Sequence, residues 1–441
     1  MKSEYQVVLR SKVADGIAAP VPGFTKRDVY IPKVPGKTVA IIGMRRSGKT
    51  TLMWQCLAAR LAEGVPREAL LYCNFEDERL AGMTAADLQF LMEEFYAFNP
   101  GLRKRRTAFF LDEIQLIPNW EQFVRRVTDN EKVELFISGS SARLLSREVA
   151  TSMRGRALEA LVHPFSFREV LRHSGIEPLK PLHQLTKSQL SHIEQAFRKY
   201  LVCGGFPEVQ KVEQRDATML LRTYIDVAVL RDVIERHAVT NITALRWLVR
   251  NLLGNPAASF SVEKFHKTLK SQGLAIGKNS LHDYLSHLED AFLVRTVSLH
   301  TASERQRMVN PRKIYPIDTG LVALYERTGR TNVGHALETI VLLELERRGY
   351  ESIEYIKTKE GYEVDFRAYA PEDGKPWLIQ VAATVGDPET WQREIRALAS
   401  AAAAEPDAAA LLLTADTIRP PDPPPPPLMW QAVTGWLLDG Q

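Results

Sequence analysis

The sequence predicts an α/β fold, with a parallel sheet in its N-terminal third, a helical middle and a second α/β unit at its C-terminal end. Three observations predict it. Between Lys37 and Arg156, the apolar runs KTVAII, ALLYCNF, TAFFL and VELFIS alternate with amphipathic stretches, the pattern of strands and helices laid on one parallel sheet. Residues 161–240 carry helical periodicity, broken by GGFP at Gly204–Pro207. From 334 onward the order reads helix, strand, strand, strand, helix, strand.

Composition narrows the setting. A chain of 441 residues, 45% hydrophobic and 25% charged, has the make-up of a globular protein with several cores. With 57 basic against 53 acidic residues, it carries no bulk basic field, so any nucleic-acid surface must be local. Cys56, Cys73 and Cys203 lie too far apart for metal-ligand spacing and read as reduced thiols of a cytoplasmic protein. The first residues mix charges too early for a signal peptide, and no apolar run is long enough to span a bilayer. Residues 1–30 read as a polar entry arm ending in Lys26, Arg27 and Asp28.

The first strand, Thr38–Ile42, runs directly into Gly43-Met44-Arg45-Arg46-Ser47-Gly48-Lys49-Thr50, and a helical pattern follows. This is a P-loop in its required context. Its glycines let backbone N–H groups wrap phosphates, and the helix N-terminus favours the anion. Gly43, Arg46, Ser47, Gly48, Lys49, Thr50 and Thr51 are the expected ATP contacts. Lys49 would reach the β and γ phosphates and Thr50 would ligate magnesium. In AFFLDEIQ, four apolar residues lead to Asp112 and Glu113. Asp112 would hold magnesium through water, and Glu113 would orient or activate the attacking water.

The next strand ends in Ser138-Gly139-Ser140-Ser141. Ser140, with Ser138 second, is the candidate sensor of the γ-phosphate; serving as helix N-caps is the alternative. Arg154 and Arg156 suit a finger acting on a neighbouring subunit, or else a structural ion pair. Arg103–Arg106 is a basic run read as a solvated loop, with DNA contact the minority reading.

Together GMRRSGKTTL, YCNFED, FFLDEIQ, ISGSSARLLS, GRALE, HPFSFREVL and CGGFPEV resemble a bacterial and archaeal group of AAA+ ATPases joined to a C-terminal domain of unknown function. The resemblance implies a helical lid after the core and a homo-oligomer, with a hexamer possible. Gly205-Phe206-Pro207 is similar to the lid motif of signalling ATPases, which places Pro207 at the adenine.

Residues 241–300 fit a winged helix. Ser261 would cap a helix containing Val262, Phe265 and Leu269. A second helix places Leu281, Tyr284, Leu285 and Leu288 on one face. The segment after the strand FLVRTV carries Arg305, Arg307, Arg312 and Lys313, expected as a wing touching DNA phosphates; packing between domains is the alternative use. The last stretch, with KIYPIDTGL, GHALETIVLLELERRGY, EVDFRAY and LIQVAAT, resembles a PD-(D/E)XK nuclease core. Glu338 and Asp365 match its carboxylates. Gln380 and Ala382 stand where Glu and Lys are expected, so the domain reads as a degenerate scaffold or nucleic-acid platform; the alternative is a site in which Lys357 or Lys359 substitutes for the missing lysine. The tail IRPPDPPPPP reads as a stiff connector to a short helix holding Trp430 and Trp436.

The expected layout is an arm at 1–30, a P-loop AAA+ core at 31–160, a helical lid at 161–240, a winged helix with basic wing at 241–333 and a PD-(D/E)XK-like domain at 334–441. The expected function is ATP hydrolysis with Mg2+, coupled to DNA. A slow nucleotide switch and an ATP-regulated nuclease are the alternatives.

Overall fold

The computed structural model describes residues 4–139, 153, 155–325, 333–416 and 424–439. They form two compact units, 1–162 and 163–441.

The first unit is built on five parallel strands: β1 (Thr38–Ile42), β2 (Leu70–Asn74), β3 (Thr107–Asp112), β4 (Val133–Gly139) and β5 (Ala157–Leu161). Their order is β2-β3-β4-β1-β5, with every neighbouring pair parallel. The four apolar runs are β1 to β4. β5 follows from ALEAL, where Glu159 interrupts the apolar run. The central strands β1 and β3 are buried at every residue, as strands covered on both faces must be. Helices α2 (Lys49–Ala62), α3 (Leu88–Phe98) and α4 (Trp120–Asn130) connect them. α2 presses Leu52, Met53 and Leu57 onto Val39, Ile41 and Phe110.

The entry arm is not an arm. Residues Glu4–Ala18 form helix α1, with Leu9 and Val13 fully buried at helical spacing. The Arg67 guanidinium donates to the carbonyls of Gly16 and Ala19 at its C-terminal end, satisfying acceptors that a helix terminus leaves unpaired. Residues 19–31 then pack Val21, Val29 and Ile31 against the α2 side of the core.

The second unit opens with helices α5 (Phe167–His173), α6 (Lys187–Cys203) and α7 (Gln214–Val227), the last continuing into a π-helical stretch, Ala228–Glu235. Next come α8 (Ile242–Gly254), β6 (Ser259–Phe260), α9 (Val262–Ser271), α10 (Lys278–Asp290), β7 (Val294–Leu299), α11 (Glu304–Val309) and β8 (Arg312–Pro316). Ser261 caps α9 by accepting from the Lys264 N–H, and the Leu281, Tyr284, Leu285 and Leu288 face of α10 is buried. The C-terminal part adds α12 (Val333–Arg347), β9 (Glu351–Lys357), β10 (Glu363–Tyr369), β11 (Pro376–Ala382), α13 (Pro388–Ala404), β12 (Ala409–Thr414), β13 (Leu428–Ala432) and α14 (Val433–Leu438). Trp430 therefore lies on a strand, and only Trp436 on the terminal helix.

One sheet, ordered β13-β12-β11-β10-β9-β7-β8-β6, runs through this unit. β7 pairs with β9 in parallel, Ser298 opposite Glu354. The expected boundary at 333/334 therefore cuts between strands of a single sheet. Backbone hydrogen bonding across it gives that cut no gap in which to fall.

The GGFP break is a tertiary knot. Gly204 has φ +71, and a Cβ there would lie 1.7 Å from Asp318 Oδ1. A Cβ on Gly205 would lie 2.1 Å from the Phe165 carbonyl oxygen. The Gly205 N–H donates to Asp318 Oδ2 at 2.6 Å, and the Gly320 N–H donates to Asp318 Oδ1 at 2.9 Å. Tyr200 donates to the Phe165 carbonyl at 2.9 Å. Burial pushes the Asp318 carboxyl up to about 7, against the downward pull of these two N–H groups and of Arg347.

Candidate functional site

β1 delivers the chain into a tight loop at the C-terminal end of the first sheet, where ligands of open parallel sheets bind. Gly48 adopts φ +100 just before α2, a conformation that side chains resist. Arg46 is also left-handed, at φ 66, and exposed. Lys49 is 5% exposed, and its ammonium donates to the carbonyls of Gly43 and Met44 at 3.1 Å each. The loop thus curls around its own lysine. Ser47 is fully buried, and its Oγ has no hydrogen-bond partner among the described residues. Such an orphaned polar atom suits a ligand that brings acceptors.

The second motif meets the first directly. Thr50 Oγ1 donates to Asp112 Oδ2 at 2.7 Å. Asp112 is fully buried at the end of β3. It also accepts the Tyr72 hydroxyl at 2.8 Å and the Ser138 hydroxyl on its other oxygen. Three hydroxyl donors compensate the burial of the charge. Ser138 Oγ in turn accepts the Glu113 N–H at 3.0 Å. Glu113 sits at φ 56 and ψ 39, a left-handed conformation costly for a non-glycine residue. Gln115 donates to its carboxylate.

The expected nucleotide and magnesium residues Gly43, Arg46, Ser47, Gly48, Lys49, Thr50, Thr51, Asp112 and Glu113 thus belong to one end of one sheet. Ser138 joins them as a clamp on Asp112 and Glu113. Ser140 and Arg154 lie outside the described residues. Arg156 is elsewhere. It precedes β5 at the opposite, N-terminal end of the strands, and its Nε donates to Asp129 Oδ1 at 2.7 Å. Pro207 opens a 3-10 turn, Pro207–Val209, in the second unit.

Two participants carry no motif in the sequence. Tyr72 lies on β2, inside an apolar run. A hydroxyl in a buried strand beside the acidic strand is its one available signal. Arg27 is 3% exposed and donates to the Ser47 carbonyl at 2.9 Å. Its own N–H donates to the Gln55 side chain at 2.7 Å, and Gln55 donates back to its carbonyl at 3.0 Å. The end of the expected polar arm therefore braces the P-loop from behind.

Four cations expected on a wing divide by environment. Arg305 is exposed on α11 and Arg312 is partly exposed. Arg307 donates to Glu354 Oε1 at 2.7 Å. Lys313 is not a wing cation: it is 4% exposed, on β8, with Nζ 2.9 Å from Asp365 Oδ1. Strand pairing turns it inward, and carboxylates replace the water its charge would lose. The expected substitute lysines stay outside. Lys359 is exposed, and Lys357, about half exposed, lies 3.7 Å from Glu363. Glu338 accepts the Tyr315 hydroxyl at 3.2 Å. Burial, then Asp365, push its carboxyl up to about 8. Gln380 donates to Glu394 at 2.7 Å and accepts the Asp365 N–H at 3.2 Å. No described helix is long and apolar enough to cross a membrane.

Residues 35–171 match an AAA domain. Residues 194–331 match a domain of unknown function, DUF8612, so the match lies ahead of the C-terminal position the resemblance implied. An uncharacterized protein of Haemophilus influenzae is 29% identical over 329 residues, 74% of this chain and 78% of that one. Among solved structures, the Walker-type ATPase PABY2304 of Pyrococcus abyssi is similar at 14% identity, covering 72% of this chain and 94% of that one, with a TM-score of 0.42. The uncharacterized protein MJ1544 of Methanocaldococcus jannaschii is 33% identical over 380 residues, 85% of this chain and 81% of that one. With its P-loop and acidic strand end in contact inside an AAA domain, the chain belongs to the family of MJ1544, a family of AAA-type P-loop ATPases.

Proposed function

We propose that the chain hydrolyses ATP with magnesium and works as a DNA-associated homo-oligomer. The observation that carries the catalytic part is the 2.7 Å contact between Thr50 and buried Asp112, which brings the two motifs of a phosphoryl-transfer site to one point. Lys49 binds the β and γ phosphates. Thr50, with Asp112 through water, would hold magnesium, which draws charge from the phosphates. Glu113, next in the chain to Asp112, takes the proton of the attacking water or aligns it. Arg154 or Arg156 supplies the finger in a neighbouring subunit, and Pro207 lies at the adenine. For Arg156 this requires giving up its pair with Asp129.

The DNA part rests on element order. From α8 to β8 the order is helix, strand, helix, helix, strand, a short helix and strand, with β8 antiparallel to both β6 and β7; apart from the short α11 this is the order of a winged helix. Arg305 and Arg312 are its phosphate contacts, and Lys313 leaves that set. The experiment is the ATPase rate at several protein concentrations, with and without duplex, single-stranded and branched DNA, at stated salt. A rate that rises with DNA and with protein concentration supports the reading. A concentration-independent rate unmoved by DNA favours a slow nucleotide switch. The packing of Gly204 and Gly205 against Asp318 and Phe165, just before Pro207, favours that second reading.

For 334–441 we infer a nuclease-like fold without nuclease chemistry. The order α12, β9, β10, β11, with Glu338 and Asp365 near one another, supports the fold. The donor set does not suit a divalent metal. Lys313 and the Val381 N–H occupy the two oxygens of Asp365, Gln380 is engaged at both ends, and no described group of three or more metal-ligating side chains is arranged to hold an ion. No cleavage of DNA by wild type with magnesium or manganese is expected; cleavage lost in Asp365→Ala would overturn this.

A further inference from the structure

Three carboxylates in the second unit converge on one cation, and that cation belongs to the chain. Lys313 Nζ lies 2.9 Å from Asp365 Oδ1, 2.9 Å from Glu363 Oε1 and 3.4 Å from Glu338 Oε2. An ammonium has three N–H donors and no acceptor, so three acceptors use its capacity fully. The lysine side chain is 5% exposed, Asp365 9% and Glu338 13%. The partners come from three separate elements: β8 supplies Lys313, α12 supplies Glu338, and β10 supplies Glu363 and Asp365.

Two further donors reach these carboxylates. Val381 N–H donates to Asp365 Oδ2 at 3.0 Å, and Tyr315 OH shares Glu338 Oε2 with the lysine. Hard divalent cations need several open oxygen ligands, and here the ligands have closed on nitrogen and hydroxyl donors. Burial pulls the Lys313 ammonium toward neutrality, but Asp365, Glu338 and Glu363 outweigh it and hold it above its ordinary value.

We propose that Lys313 is the resident cation of this cluster, standing in place of a divalent metal and tying β8 and α12 to β10. The proposal depends on the contacts above and not on the nuclease-like reading; a chain with no nuclease ancestry would keep it. Removing Lys313 strands three carboxylates; removing Asp365 as well relieves one of them.

The test is thermal melting, followed by intrinsic fluorescence, of the full chain and of Lys313→Met, Asp365→Asn and the double variant. Each is melted in EDTA, in magnesium and in manganese. Wild type should melt at the same temperature in all three. Lys313→Met should lose roughly 10 °C, and the double variant should recover part of that loss. Manganese raising the wild-type Tm, with the rise gone in Asp365→Asn, would overturn the proposal in favour of a metal site. A Lys313→Met protein as stable as wild type, or a double variant melting no higher than Lys313→Met, would overturn it too. Should Lys313→Met fail to fold, a folded double variant supports the pairing, and the metal series on wild type still decides between lysine and ion.

Discussion

Asp112 and Asp365 are both buried carboxylates at a strand position beside other polar groups, yet their surroundings are built in opposite ways. Around Asp112 the partners are neutral hydroxyls, from Thr50, Tyr72 and Ser138. They stabilise the charge without cancelling it, so the carboxylate keeps its attraction for a cation arriving with a substrate. Around Asp365 the principal partner is an ammonium fixed to the chain. There the charge is already answered, and a visiting cation would have to displace a buried lysine. Hydroxyl partners leave a carboxylate available for chemistry; a charged partner converts it into structure.

The contrast is most exposed to test at the P-loop. Lys49→Ala should abolish turnover, a loss of at least ~100-fold, because the phosphate charge loses its main side-chain partner. ATP binding measured with a fluorescent analogue should weaken alongside. Glu113→Gln should slow hydrolysis by about 10²- to 10⁴-fold while keeping nucleotide binding, since Lys49, Thr50 and Asp112 are untouched. Full activity in Glu113→Gln would remove that residue from the reaction.

A smaller effect should come from pH, and it should fall on the second unit. The folded Asp318 carboxyl is pushed up to about 7, against about 3.9 in an unfolded chain. Folding therefore favours the protonated form. Stability is full below about pH 4 and declines as pH rises through about 7, on the order of a few kcal/mol. Melting temperatures taken from pH 5 to pH 8 should fall, and Asp318→Asn should flatten the slope. A slope unchanged by Asp318→Asn would place the titrating group elsewhere.

The smallest effect sharpens the role of hydroxyl partners. Tyr72→Phe removes one of three donors to Asp112, about 1 kcal/mol. The magnesium concentration at half-maximal ATPase activity should rise a few-fold, while nucleotide binding in EDTA stays constant. An unmoved magnesium midpoint would make Tyr72 a packing residue only.

The features legible in the amino-acid sequence are the local ones. A strand, a glycine turn and a helix N-terminus are consecutive, so Gly43–Thr50 announces its own geometry. Asp112 and Glu113 announce theirs by ending an apolar run. β1 to β4 and the buried faces of α9 and α10 are legible for the same reason, because periodicity is a property of neighbouring residues. Charge is where the sequence misleads. Lys313 groups with Arg305, Arg307 and Arg312 on the rule that lysines are almost always exposed, and Arg27 falls in a stretch whose polarity suggests solvent. Their burial depends on pairings between residues far apart along the chain, such as Val297 with Lys313, Ser298 with Glu354 and Arg27 with Ser47: β8 against β7, β7 against β9, and residues 19–31 against the P-loop and α2. The sequence by itself determined the phosphate-binding loop and the strand that faces it. Only the tertiary structure decided which charges stay open to a ligand and which are neutralised inside the fold, since that follows from register and burial, which no local run of residues encodes.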